Sequence, residues 1–320
     1  MKFKGSLEAL PDFFKLVMVF TFFLTMMLVS AAIAGLMCSL IYDVDFFANP
    51  LAAIDYTNGN VLAATKLFQL ISAAGTFIVT PLIAAFVLDR NPGKFTGISV
   101  KPILITLIPV VLVMFTATPF INYLVKVNSV LSLPDSLKAL EDWMRASEDE
   151  ASKITDAFLK MNNRSDLFIN LLIVAVIPAI GEELMFRGVI QTLLKKMFGN
   201  IHVAILFASI FFSAMHLQFF GFLPRMALGM VLGFLFEWSS SLWLPILAHF
   251  VNNASAVIFY YIASRDKLPF NQDTIGADKG DTLLLLVSVG LSWAFLFSIK
   301  KWCEKNNLSK PEEKEEDILY

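Results

Sequence analysis

The chain has 320 residues, of which 57% are hydrophobic and 16% charged, and its mean hydropathy is +0.69. A water-soluble domain of this length carries about a quarter of its residues as charges, so the composition excludes a soluble globule and points to segments solvated by lipid. The formal net charge of -2 offers no basic face, so no nucleic-acid partner is expected.

About 20 apolar residues span the hydrocarbon core of a bilayer, and uncharged runs near that length read as spans. Leu16 to Tyr42, Leu67 to Leu88 and Pro102 to Val125 are three such runs. Pro81 and Pro109 inside them predict kinks rather than breaks. The first run follows Lys2 and Lys4 and contains Ala32-Ile33-Ala34, which imitates a signal-peptidase site. It continues well past the about 7 to 15 apolar residues of a signal peptide, so an uncleaved anchor is expected. From Lys126 to Asp166 the chain turns polar. Pro134 to Met161 reads as one or two amphipathic helices with Leu137, Leu140, Trp143, Met144, Ile154, Phe158 and Leu159 on one face, placed at the membrane surface as a gate or a connector.

Four more apolar segments follow, Leu167 to Phe198, Val203 to Leu217, Phe222 to Trp238 and Leu242 to Ala263, each holding or adjoining ionisable residues, and Leu283 to Ile299 is the last. The expected fold class is therefore all-α, a polytopic transmembrane bundle of about eight spans with a surface amphipathic segment between spans three and four. Its divisions are residues 1–166, a core over 167–264, a last span within 265–303, and a charged, disordered tail over 304–320. Lys2, Lys4, Lys15, Arg90, Lys94, Lys101, Lys195, Lys196, Lys300, Lys301 and Lys305 fall on one side of this arrangement, while Lys66, Arg265 and Lys267 are exceptions. Basic residues favour the cytoplasmic side, so both termini are expected to be cytoplasmic, in a bacterial inner membrane. Cys38 and Cys303 lie far apart and form no C-x-x-C pair, so each reads as a small buried or interfacial thiol.

A charge at mid-bilayer costs about 2.5 to 3.5 kcal/mol on insertion scales, so every ionisable residue inside a span needs a reason. The fourth span carries Glu182-Glu183-Leu184-Met185-Phe186-Arg187. Glu183 and Arg187 are four apart and share a helical face, which predicts an ion pair. Glu182 is rotated by about 100° and is left over. Two close carboxylates in low dielectric resist double ionisation, and a carboxylate so placed suits a general base. His216 ends the fifth run, and His249 and Asn253 lie one turn apart in the seventh. Together these residues hold what amide hydrolysis needs: a base for water, a proton shuttle to the leaving amine and donors for the oxyanion. Ser239, Ser240 and Ser241 read as a polar turn, His202 as interfacial, and Arg225 and Glu237 as charges snorkelling to the headgroups. No H-E-x-x-H, G-x-S-x-G or Gly-rich phosphate loop is present.

Glu182-Glu183-x-x-x-Arg187, Phe212-x-x-x-His216 and His249-x-x-x-Asn253, in that order, resemble the CPBP family, the CAAX-protease and bacteriocin-processing group that includes the Rce1-type prenyl-protein peptidases. The resemblance covers roughly Leu167 to Ala263. It implies an intramembrane endopeptidase in which Glu182 and His216 activate water, His249 and Asn253 stabilise the oxyanion, and Glu183 and Arg187 support them. The implied substrate is a membrane-associated or lipidated protein or peptide, although no residue here selects a prenyl group. The group is often described as metalloproteases, and zinc held by Glu182, His216 and His249 is an alternative to the metal-free glutamate mechanism that these residues fit equally well. Two rival readings are a non-catalytic membrane scaffold or regulator that binds another membrane protein, and a small transporter using the glutamates as a proton relay. The absence of an internal repeat speaks against the transporter.

Overall fold

The structure is a computed structural model that describes residues 3–48, 55–266, 275, 276, 278 and 280–306. Lys2, Lys267 and the tail from residue 307 onward, to which the sequence assigns a side of the membrane or disorder, lie outside the described residues. The chain is an all-α polytopic bundle, with no strand among the described residues. Its main helices are α1 (Asp12–Tyr42), α2 (Gly59–Leu88), α3 (Leu107–Ser129), α4 (Lys138–Leu159), α5 (Arg164–Phe198), α6 (Ile201–Ala214), α7 (Phe222–Ser239), α8 (Trp243–Asp266) and α9 (Thr282–Lys305). All but α4 and α6 are long and apolar enough to cross a membrane, which makes seven such helices among the described residues.

At the place of the fifth expected span stands a shorter apolar helix, α6. The apolar run to Leu217 is present, but α6 has only 14 residues, about 21 Å at 1.5 Å per residue, short of a hydrocarbon core of about 30 Å. Hydropathy counts apolar side chains whether or not the backbone continues its helix. Here it stops at Ala214, and Leu217 turns the chain with a positive φ of 53°. Met215 N still bonds Phe211 O, and residues 216–221 then complete the path back to α7 through i,i+3 turns. Such backbone is tolerated at membrane depth only where protein satisfies it, and side chains do so. Arg225 Nη1 donates to Gln218 O (2.8 Å) and Asn128 Nδ2 donates to Phe219 O (2.9 Å), while Phe220 N donates to Glu148 Oε2 (3.1 Å). Ser213 Oγ then donates to Phe222 O (2.8 Å), and Leu223 N donates to Asn128 Oδ1 (2.6 Å).

Prolines shape two of the long helices. A proline removes one backbone donor and crowds the carbonyl four residues earlier, and a widened turn relieves both. In α2 the segment Ala74–Val79 is π-helical and leads into Pro81; in α5 the segment Leu171–Val176 is π-helical and leads into Pro178. Pro109, from which a kink is expected, instead occupies the first turn of α3, where its missing N–H has no helical partner to lose; Pro119 is the interior proline. The polar segment forms one helix, α4, with Phe158 buried and Leu137, Leu140 and Trp143 exposed.

Two apolar clusters hold the bundle. One joins Val19 and Phe23 of α1, Ala84 and Leu88 of α2, the Met185 to Leu194 stretch of α5, and Ala208 and Phe212 of α6. The other joins Val110 and Val113 of α3, Leu232 and Leu235 of α7, Ala248 of α8 and Ile299 of α9. Cys303 is a free buried thiol in the second cluster, and Cys38 is another in a smaller cluster with Val61 and Ala64. Helix α5 packs tightly on α2 at Gly181, where a Cβ would lie 2.9 Å from Phe77 Cβ and 3.2 Å from its carbonyl carbon. Without a hydrophobic drive between helices in lipid, close packing of small residues holds them. Gly181→Ala is therefore expected to cost about 1–3 kcal/mol, read as a lower unfolding temperature of the purified protein; an alanine protein as stable as the wild type would contradict this contact.

Candidate active site

Helix α5 carries the glutamates near its middle. Glu183 ends the α-helical segment Ile177–Glu183, and Leu184–Gln191 is again π-helical. Glu182 is thus set between two widened stretches of one helix, a feature frequent at functional sites. Sixteen residues separate Glu182 from the helix end at Phe198, about 24 Å of rise. The turn at Gly199-Asn200 reverses the chain, and α6 climbs back about 21 Å before it ends. The short helix therefore delivers His216 to the depth of Glu182, as a full-length span would not.

Glu183 is completely buried and its Oε1 accepts two bonds, from Arg187 Nη1 at 2.7 Å and from His249 Nδ1 at 2.8 Å. The ion pair expected from the i,i+4 spacing is present. Its second partner, from α8, was beyond the reach of local spacing. A carboxylate paired with a guanidinium accepts and does not donate, so His249 carries its proton on Nδ1. Arg187 is 1% exposed, donates from Nη2 to Gly229 O at 3.0 Å, and lies over the Phe212 ring with its guanidinium carbon 4.7 Å from the centroid. One turn on, Gln191 Nε2 donates to Gly233 O at 3.1 Å. The Gly229-x-x-x-Gly233 spacing on α7 thus exposes two carbonyls, one turn apart, to two side chains one turn apart on α5. Sequence reading passed over this G-x-x-x-G spacing, although the motif itself signals a close helix contact.

Glu182 has a different environment. Its Oε2 is buried without a hydrogen-bond partner and lies 3.9 Å from His249 Nε2. His216 stands in the turn beyond α6, where its Nδ1 donates to Phe212 O at 2.9 Å, leaving Nε2 with a lone pair. No hydrogen bond joins His216 to Glu182 directly. Phe212 links the two imidazoles, its ring lying edge-on to His216 at 5.3 Å and to His249 at 5.8 Å between centroids. This ring, which the sequence motif offers only as a spacer, is the shared wall of the site. Asn253 is fixed from both sides: its Nδ2 donates to Val174 O at 3.0 Å and its Oδ1 accepts from Asn252 Nδ2 at 3.0 Å. Val174 lies in the first π-helical stretch of α5, so the distorted helix itself anchors that amide.

The other polar residues sort differently. Ser240 turns the chain with a positive φ of 53° and Ser241 Oγ donates to Val100 O at 2.7 Å, as a polar turn should. Glu237 pairs with Lys195 at 2.7 Å on the bundle's exterior, and His202 opens α6 with its backbone N on the Asn200 side chain. Arg225 is not a snorkelling charge, because its guanidinium turns inward and bonds both the carbonyl and the side-chain oxygen of Gln218, beside the His216 turn. From above, α4 grips the same turn: Arg145 lies 4.3 Å over the Phe220 ring and Trp143 packs on Phe219 at 5.4 Å. Arg145 also bonds Glu141, and together with the Leu133 N–H it holds that carboxyl below the usual carboxylate range. Among the described residues no three His, Cys, Asp or Glu side chains gather as a metal ion requires. The set Glu182, His216 and His249 does not fit zinc as arranged.

Residues 164–255 match the family model described as type II CAAX prenyl endopeptidase Rce1-like. A stretch of 92 residues is 34% identical to the uncharacterized protein YpbD of Bacillus subtilis (strain 168), covering 28% of this chain and 41% of that protein. The chain thus spans less than half the length of that relative. No solved structure matches the chain. The matched region begins with α5 and ends just beyond Asn253, enclosing Glu182, Glu183, Arg187, His216, His249 and Asn253. Residues 164–255, the part that carries every one of these side chains, are thus similar to the Rce1-like family.

Proposed function

We propose that this chain is a CAAX-type intramembrane endopeptidase that hydrolyses a peptide bond of a membrane-associated or lipidated protein or peptide. The observation that carries the reading is the unequal treatment of the two glutamates. Both carboxylates keep a buried Oε2 without a hydrogen-bond partner, but Glu183 Oε1 is held by Arg187 and His249, whereas the open Oε2 of Glu182 faces His249 Nε2 at 3.9 Å. A structural ion pair has no use for that second carboxylate, and a gap of this length suits a bridging water.

In this mechanism Glu182 takes a proton from water as the water oxygen attacks the substrate carbonyl. His249 keeps its Nδ1–H on Glu183 and turns Nε2 toward the site, where that nitrogen, when it carries a proton, donates to the oxyanion. Asn253 supplies the second donor. His216, held through Nδ1 by Phe212 O, offers Nε2 to carry the proton to the leaving amine as the C–N bond breaks. Glu183, Arg187 and Phe212 fix the geometry. Because the candidate zinc ligands do not converge, the mechanism is written without a metal, and cleavage should survive a zinc chelator. On the distribution of lysine and arginine the chain is placed in a bacterial inner membrane with both termini cytoplasmic.

The test compares membrane proteomes of cells making the wild-type or the Glu182→Gln chain. New protein termini are expected only with the wild type. Identical termini in the two samples would leave the scaffold reading in its place.

A further inference from the structure

Beside the catalytic cluster lies a second cavity, of about 320 Å³, between α3, α4, α7 and α8. Ile121, Val125 and Leu228 give it an apolar wall, and Arg225, Glu148 and Asn252 a polar end. It adjoins the active centre through three links. Asn252 donates to Asn253, Arg225 holds Gln218 two residues beyond His216, and the Arg225 charge acts on Glu182 and on His216. Both hydrogen bonds recorded for the Arg225 guanidinium go to the neutral oxygens of Gln218. The nearest acid of the cavity, Glu148, lies within electrostatic reach but forms no ion pair with it and spends Oε2 on the Phe220 N–H. A guanidinium half-buried in membrane protein without a bonded carboxylate is costly. Its geometry matches one kind of ligand best, since its fork binds carboxylates through paired charge-assisted bonds.

We propose that this cavity is a substrate subsite in which Arg225 receives a carboxylate of the peptide being cleaved, while the apolar wall takes the neighbouring side chains. The subsite rests on the endopeptidase reading, and it makes cleavage depend on the distance between the scissile bond and an anionic group. That group is either the free end of the chain or an acidic side chain. Glu148 acts as a weak placeholder that the substrate carboxylate outcompetes for Arg225.

The experiment measures binding to the purified full-length Glu182→Gln protein in micelles, which separates recognition from hydrolysis. Three probes are used: acetyl-Leu-Ala-Leu as the free acid, the same peptide as its amide, and acetyl-Leu-Asp-Leu amide. The free acid is expected to bind about tenfold more tightly than its amide, and Arg225→Gln should erase the difference, while Arg225→Lys keeps part of it. Recovery of affinity by the aspartate probe identifies a side-chain carboxylate, and its failure to recover identifies the chain terminus. Glu148→Gln, which keeps the acceptor for Phe220, should strengthen acid binding and decides the matter if Arg225→Gln does not fold. Equal binding of acid and amide, no binding of either, or an acid preference that survives Arg225→Gln overturns the proposal. If the wild type cleaves proteins yet shows no acid preference, the subsite fails and the peptidase reading stands; an Arg225-dependent preference in a chain that cleaves nothing has the opposite meaning.

Discussion

Glu182→Gln is expected to slow cleavage by about 10²- to 10⁴-fold, the usual worth of a positioned general base, while the protein unfolds at the same temperature as the wild type or a higher one. The second half of that expectation comes from the local environment. Glu182 Oε2 has no hydrogen-bond partner, and a charge at mid-bilayer costs about 2.5 to 3.5 kcal/mol on insertion scales. An amide of the same shape removes the charge and disrupts no bond. Residues kept at a cost to stability are those that function requires. Paired measurements of cleavage rate and thermal unfolding check this. A Glu182→Gln protein that loses stability as well as activity would make Glu182 a structural member of the polar cluster and remove the base from the mechanism.

Arg187→Met is expected to have the largest effect on folding, about 3–5 kcal/mol. It strands Glu183 in the bundle with only His249 as a partner, and it also removes the bond to Gly229 O and the contact over Phe212. The double variant Glu183→Gln/Arg187→Met should recover much of the loss, because no unpaired charge remains and the glutamine oxygen still accepts from His249 Nδ1. Yield of monodisperse protein and its unfolding temperature read both effects. If the double variant is no better than the single, the cost lies in the lost packing over Phe212 and not in the stranded carboxylate.

How much of this was legible follows from the range of the interactions. The seven long helices could be read from apolar runs, because lipid demands about 20 apolar residues wherever the chain crosses. The Glu183–Arg187 pair could be read because both ends lie on one helix, four residues apart. The end of α6 could not: apolar residues continue past Ala214 at Met215, Leu217, Phe219 and Phe220, and the helix stops where Asn128, Glu148 and Arg225 take over the backbone groups. Those partners come from three other elements, and no local pattern announces them. The same limit hid the bond between Glu183 and His249, 66 residues apart. It hid the meaning of Arg225 too, which composition alone assigns to the membrane surface. The motif spacing did single out Glu182, His216, His249 and Asn253, yet it gave Phe212 no part, although that ring lies edge-on to both histidines.

The two glycines of α7 carry a consequence for mutational scanning. Arg187 and Gln191 bind main-chain oxygens of Gly229 and Gly233, so the partner they depend on has no side chain to delete. Alanine at 229 would put a methyl group 3.0 Å from Ser209 Cβ, and at 233 would put one 2.9 Å from Gln191 Oε1. An alanine scan, which elsewhere reports what is lost when a group is cut away, would at these two positions report what happens when a wedge is driven between α7 and its neighbours.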